Sequence, residues 1–544
     1  MSKTTGPAYA GWLTVLVIAA VLRFYLWQDQ LIADDEWHAL HMVAGQSYWQ
    51  IFSQFGIADH CIPLTLFYKA AADLGQLNEW IMRLPMLIAG LIAVVWVPKS
   101  LSRWLSPAEQ LLAGALLALS PLLIYYSRTA RPYALLFLLA HLAIPLAYRW
   151  WYSRDRRAGW GFAACAVSCA WLNPLSMAYT LSPVLWFGAD ALRQLFHRHN
   201  GEKLFRLIRL SCGITIAIAA LIGAPVVNDW SALAGKAGSQ TTTPETWQTF
   251  LQLFSGSGAW PVTTITGLFA LAGLVVLVRR QPGFMGFWLF CAFLFVVTVT
   301  ATQANWISHG LVLARYLLPT LSLVLVVAGV GLLATAKRLN IQGPWAAALS
   351  SIALLTAFSF GPIPEQYGRY NQFTGHMRYQ FDYRLERSNY NVLETVEVPD
   401  AYRSIADSLG KTASTVVEVP WLFEWHFNLL YRYQDIHQMR VKAGFIEGLC
   451  GSGLRGEYAP EVTGLNLSHA IHLQSLLASP NAELVVFHHP KPGWAPADRW
   501  PNNLDTCIDA FSATFGEPWM STPELVVFQL PSSSGAAEDQ GSGR

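Results

Sequence analysis

The sequence predicts a polytopic α-helical membrane protein of about eleven spans followed by a C-terminal α/β soluble domain, and three observations carry that reading. Hydrophobic residues make up 53% of 544 positions and charged residues only 13%, well below the roughly 25% charge of an ordinary soluble chain. Apolar runs long enough to cross a bilayer core, roughly 20 residues each, recur through the first two thirds. The last third changes character, with Tyr, Arg, Glu and Gln around short apolar runs. A net charge of +2 offers no electrostatic footprint for nucleic acid.

Spans are expected near 8–27, 81–97, 111–126, 132–150, 159–172, 177–191, 207–227, 262–278, 283–301, 316–334 and 345–360. The first is followed by Arg23, Phe24, Tyr25 and Trp27 with no small-residue cleavage site, so it should remain as an anchor. Lys and Arg are retained in cytoplasmic loops. With the N-terminus inside, Lys3, Lys99, Arg103, Arg154, Arg156, Arg157, the 193–209 run, Arg279, Arg280, Lys337 and Arg338 all fall on one side. Lys69, Arg83, Arg128, Arg131, Lys236 and Arg315 fall on the other, against the rule, and need another reason to exist. The expected layout is a membrane domain over 1–361 with a first outer loop over 28–80, an extracytoplasmic α/β domain over 362–530 and a Ser/Gly/Ala-rich disordered tail over 531–544. Runs at 415–419, 483–487 and 524–528 read as buried strands. Five cysteines sit in or near apolar runs as packing residues, whereas Cys450 and Cys507 fall in the polar part and would pair in an oxidising compartment. Compact loops suit a bacterial inner membrane with its C-terminal domain in the periplasm.

The charged motifs gather at the outer ends of the spans. Asp34-Asp35-Glu36-Trp37-His38 opens the first outer loop, where three carboxylates at a membrane surface are costly unless solvated or paired. On a helix, Asp34, His38 and His41 share a face, an arrangement that tunes a carboxylate as a base or ligates a metal; a solvated helix end is the plainer alternative. Asp59-His60-Cys61-Ile62-Pro63-Leu64 follows, then Glu79 and Arg83-Leu84-Pro85 with Gly90. Ser120-Pro121 precedes Tyr125-Tyr126-Ser127-Arg128-Thr129-Ala130-Arg131-Pro132-Tyr133, where two arginines before a helix-starting proline present fixed positive charge suited to a lipid phosphate. Snorkelling to lipid headgroups is the alternative for these arginines. Arg315-Tyr316-Leu317-Leu318-Pro319 opens the tenth span on the same side.

In the order and topological side of these motifs, over roughly the first 335 residues, the chain resembles the GT-C superfamily of membrane glycosyltransferases. The branch is that of protein O-mannosyltransferases, lipid A aminoarabinose transferases and RgtA/B/C/D-like relatives. It departs from the pattern at Asn173-Pro174, where many relatives carry a His near the outer end of the fifth span. The resemblance implies an inverting enzyme that moves a sugar from a polyprenyl-phosphate-linked donor to a hydroxyl of a lipid, polysaccharide or protein acceptor. It implies Asp35 as base, with Asp34 the alternative in the adjacent register. Arg128 and Arg131, with Arg315 as a third, would hold the phosphate beside Tyr126, Tyr133 and Tyr316. Glu36, His38, His60 and Arg83 would shape the loop and touch substrate. Some members use a divalent cation, and Asp34, His38, His41 and His60 carry the side chains that could host one, ordinary hydrogen bonding being the alternative. Membrane lipids are the surrounding partners. A transporter or flippase is the rival class, but such proteins place ionisable groups near mid-membrane, and here only His141 lies there. A third reading is a non-catalytic, glycan-binding scaffold.

Overall fold

The computed structural model describes residues 5–25, 46–55, 61–74, 79–198, 201–341, 400–409, 415–419, 440–445, 471–472, 483–489 and 504–531, with positions 36, 39, 42, 43, 77, 350, 352–354 and 356. They divide between two compact units, one of Met1–Gln28 with Gln46–Arg378 and one of Asp29–Gly45 with Tyr379–Arg544.

The first unit is helical. Helix α1 (Thr5–Phe24) is followed by two short helices, α2 (Tyr48–Ser53) and α3 (Ile62–Asp73), which occupy what the sequence reads as a plain loop. Next come α4 (Glu79–Ser100), α5 (Pro107–Leu119), α6 (Pro121–Ser127), α7 (Tyr133–Ser153) and α8 (Arg156–Leu172). After a 3₁₀ turn at Pro174–Ser176 follow α9 (Met177–Thr180), α10 (Ser182–Arg198), α11 (Glu202–Asn228), α12 (Trp230–Ala234), α13 (Pro244–Ser255), α14 (Trp260–Arg280) and α15 (Pro282–Thr302). The unit continues through α16 (Gly310–Tyr316), a 3₁₀ turn at Leu318–Thr320 and α17 (Leu321–Arg338).

Among the described residues six helices are long and apolar enough to cross a membrane, or seven if the bent pair α5–α6 counts as one. The chain is therefore a multi-pass membrane protein. Seven of the expected spans fall on these helices or on the bent pair, while those at 8–27, 159–172 and 177–191 fall on α1, α8 and α9–α10, which are not long and apolar enough to be counted with them. The eleventh, 345–360, lies almost wholly outside the described residues. The expected single span over 111–126 is corrected to two helices bent by 63°, because Pro121 has no N–H to continue the ladder.

Local sequence explains the helix ends. Ser106 and Glu109 form a reciprocal capping box before Pro107, and Arg280 pairs with Glu109 at 2.7 Å. At the hairpin between α7 and α8, Arg154 takes a left-handed conformation (φ 53°) and Asp155 accepts the N–H groups of Arg157 and Ala158. Helices α14 and α17 cross in close contact. A Cβ on Gly273 would strike the Val327 carbonyl, and one on Gly331 the Phe269 carbonyl, so the backbones touch only because both positions lack side chains.

The second unit contains α18 (Asp400–Leu409), β1 (Thr415–Val419), β2 (Arg440–Phe445), β3 (Ile471–His472), β4 (Leu484–His488), α19 (Leu504–Phe515), β5 (Met520–Ser521) and β6 (Leu525–Gln529). The sheet runs β3-β2-β1-β4-β6-β5, parallel from β3 to β4 and antiparallel beyond. Val417, Val419, Val485 and Phe487 pack with Phe511 and Phe528 on one face. The other face carries Glu418 and His488, which meet at 2.7 Å, with the Tyr402 hydroxyl donating to the same carboxylate oxygen at 2.8 Å. The three expected strands are thus present as β1, β4 and β6. Cys507 is disulfide-bonded and Cys450 lies outside the described residues, while Cys165, Cys169, Cys212 and Cys291 are free thiols and Cys61 is buried.

Candidate functional site

The break between α5 and α6 organises the site. A helix carbonyl normally accepts from the N–H four residues on, but for Leu117 that residue is Pro121. Arg23 of α1 supplies the missing donors, reaching the carbonyls of Leu117 (3.4 Å) and Ala118 (3.1 Å), its own Ala19 carbonyl (3.2 Å) and Ser127 Oγ (3.2 Å). The side chain is wholly buried, so its charge serves the backbone of the bend. Gly90 on α4 faces this cluster. A Cβ there would collide with Ser127 Oγ, stand 2.7 Å from Ser127 Cβ and lie 3.3 Å from Arg23 Nε.

Immediately after α6 the chain makes a tight double turn. The Arg128 N–H donates to the Tyr125 carbonyl (3.0 Å), the Arg131 N–H to Thr129 (2.8 Å) and the Tyr133 N–H to Arg131 (2.8 Å), which sets both arginines ahead of α7. Arg128 is fully buried, with Nη1 donating to the Tyr25 carbonyl, and Arg131 is 8% exposed. Burying cations costs several kcal/mol each unless acceptors or an anion meet them. Tyr68 of α3 braces the turn from below, donating to the Met82 carbonyl at 2.8 Å and approaching the Ala130 carbonyl at 3.4 Å. Arg83, also fully buried, follows Met82 on the same first turns of α4.

A row of rings continues from the turn. Tyr125 meets Tyr126 edge to face at 4.9 Å, Tyr126 meets Tyr133 at 4.9 Å, and the Arg315 guanidinium lies over Tyr133 at 5.4 Å and over Tyr316 at 5.5 Å. Helix α16 delivers Arg315 because Gly310 lets it press against Thr249 of α13, whose Thr246 hydroxyl donates to the Ser308 carbonyl. The C-cap of α13, Gly256 (φ 77°), abuts Pro121 in turn, 3.1 Å from where a Cβ would stand. Tyr126, Arg128, Arg131, Tyr133, Arg315 and Tyr316 are therefore brought to one place, beside the Arg83 turn.

Asp34, Asp35, His38 and His60 lie outside the described residues, as does His41. Glu36 is described and is 2% exposed, but belongs to the other compact unit. Among the described residues no group of three or more His, Cys, Asp or Glu could hold a metal. Asn173 is a capping residue that accepts the Leu175 N–H at 3.0 Å. Sequence reading missed the roles of Arg23 and Tyr68. An arginine at the end of an apolar helix was the available signal for the first; nothing local marked the second.

Residues 59–234 match the family model described as dolichyl-phosphate-mannose-protein mannosyltransferase. Over nearly its full length the chain superposes on ArnT from Cupriavidus metallidurans. The apo crystal structure aligns with a TM-score of 0.53 at 13% identity, covering 97% of this chain and 98% of that one. The structure bound to undecaprenyl phosphate aligns with a TM-score of 0.54 at 13% identity, covering 96% and 98%. The chain has the GT-C fold. No curated protein matches it by sequence. The matched stretch takes in Arg83, Tyr126, Arg128, Arg131 and Tyr133, and stops short of Arg315.

Proposed function

We propose that the chain is an inverting glycosyltransferase that moves a sugar from a polyprenyl-phosphate-linked donor to an acceptor hydroxyl at the outer face of the membrane. One observation carries this reading: two arginines are buried in a braced turn beside a third that stacks on tyrosine, within a GT-C fold. Guanidinium groups held in a low-dielectric site stabilise charge that develops on a departing phosphate, and being fixed they need no reorganisation as the bond breaks. The undecaprenyl phosphate bound to ArnT supports the class of carrier.

In the proposed step the acceptor oxygen attacks the anomeric carbon from the side opposite the phosphate. The bond from that carbon to the phosphate oxygen breaks, and its electron pair leaves with the lipid phosphate beside Arg128, Arg131 and Arg315. The acceptor proton passes to Asp35, with Asp34 the alternative, in the manner of a general base. Glu36, His38, His60 and Arg83 would contact substrate, and the acceptor would be a lipid, polysaccharide or protein. The setting is a bacterial inner membrane, N-terminus cytoplasmic, with the domain over 362–530 in the periplasm.

The test is release of polyprenyl phosphate from a panel of radiolabelled polyprenyl-phosphate sugars by purified protein in nanodiscs. Wild type should turn over one donor, Asp35→Asn should abolish turnover, and Arg131→Gln should lower it by roughly 10²-fold to 10³-fold. Donor transport without release of lipid phosphate would replace the enzyme with a flippase.

A further inference from the structure

At the ends of the spans opposite the arginine turn, a cavity of about 460 Å³ opens between α4 and α7. Its walls are Trp96, Leu142, Pro145 and Leu146, and Lys99 and Arg149 line it too. Trp96 is 60% exposed, on a helix long and apolar enough to span the bilayer, so this wall faces the lipid region. Apolar walls hold water poorly and hold an acyl chain well.

Charge distinguishes this cavity from an ordinary groove between helices. Lys99 is exposed and lies 5.4 Å over the Trp12 ring. Arg149 pairs with Asp155 at 2.7 Å, and Arg103 reaches Ser153 Oγ at 3.2 Å on the same ends of the same two helices. Arg154, Arg156 and Arg157 follow in the hairpin to α8, where the carboxylates are Asp155 and Glu202, the latter paired with Arg154 at 3.2 Å. The rim is therefore net positive over an apolar body, the complement of a lipid with a net-negative headgroup. Basic pockets between spans select such headgroups, and each surface cation adds about fivefold to affinity for an anionic surface.

We propose that this cavity is a binding site for an anionic phospholipid, with its headgroup at Lys99 and Arg149 and an acyl chain along Trp96, Leu142 and Leu146. The site is separate from the arginine turn, at the opposite end of α7, and does not depend on the glycosyltransferase reading.

Native mass spectrometry of the full chain, released from nanodiscs of equal phosphatidylglycerol and phosphatidylcholine, tests it. Wild type should retain phosphatidylglycerol in preference. Lys99→Gln should reduce that preference about fivefold, and Leu142→Trp, which fills the cavity, should remove the bound lipid. Arg279→Gln, an exposed cation at the same membrane face but outside the cavity, should leave retention unchanged. Equal retention of both lipids by wild type, or wild-type retention by Lys99→Gln, would mean that bulk lipid alone covers the cavity and would overturn the proposal.

Discussion

Gly90→Ala tests how the arginine turn is held. The added methyl meets Ser127 Oγ and Cβ, and the two atoms respond differently. The hydroxyl can rotate away, at the loss of its bonds with the Leu123 carbonyl and Arg23 Nε. Ser127 Cβ is fixed by backbone and would stand at 2.7 Å, inside the 3.0 Å that real Cβ contacts respect, so α4 and α6 must part by a few tenths of an ångström. Overpacking of this kind costs about 1–3 kcal/mol, and here the displaced backbone leads directly into Arg128. Thermal unfolding in detergent should show the loss, and the KM for the lipid-linked donor should rise. Ser127→Gly removes both colliding atoms, so the pair should form a strongly coupled cycle in which Gly90→Ala costs far less in the Ser127→Gly background. Strict additivity of the two changes would refute the reasoning, since it would mean the methyl never met Ser127.

Tyr68→Phe removes the brace under the turn while keeping the ring. It should cost about 1 kcal/mol in unfolding measurements and weaken donor binding more than it slows turnover at saturation. A second expectation concerns pH. Asp155 caps α8 and its carboxyl is held below the usual range, first by the Ala158 N–H and then by Arg149. Its contribution is present above the unfolded carboxylate range, near pH 4, and is lost as pH falls through the lower folded value. Asp155→Asn should therefore be less stable than wild type at pH 7, with the gap in melting temperature closing below about pH 4; parallel profiles would exclude the ion pair.

Legibility in the sequence followed the range of the interaction. Spans were readable because each is a local run of apolar residues, and the strands at 415–419, 483–487 and 524–528 because each is a short local pattern. The bend at Ser120-Pro121 carried a local mark but fell inside what reads as one span over 111–126, since a proline does not announce whether a distant donor will repair the break. Arg23 lies 94 positions from Leu117, and Tyr68 is 62 from Ala130. Such pairings exist only after the helices have packed. Arg128, Arg131 and Arg315 stood out for a different reason: with Lys69, Arg83 and Lys236 they are the few cations that oppose the charge rule, and the resemblance picked them from that set. That Arg315 would lie over Tyr133 could not be read, because α13 and α16 bring it there.

Arg23 also ties together two segments that are synthesised at different times. Helix α1 is synthesised well before α5 and α6, and an arginine within an apolar segment is expensive in hydrocarbon until it finds acceptors. The carbonyls it will meet, Leu117 and Ala118, are equally costly in lipid without it. Each segment supplies what the other lacks, so this hydrogen bonding is complete only once the two have packed together. Arginine and proline are in this sense a single heritable character: a lineage that lost Pro121 would have less use for the cation, and one that lost Arg23 while keeping the proline would leave two bare carbonyls inside the bilayer.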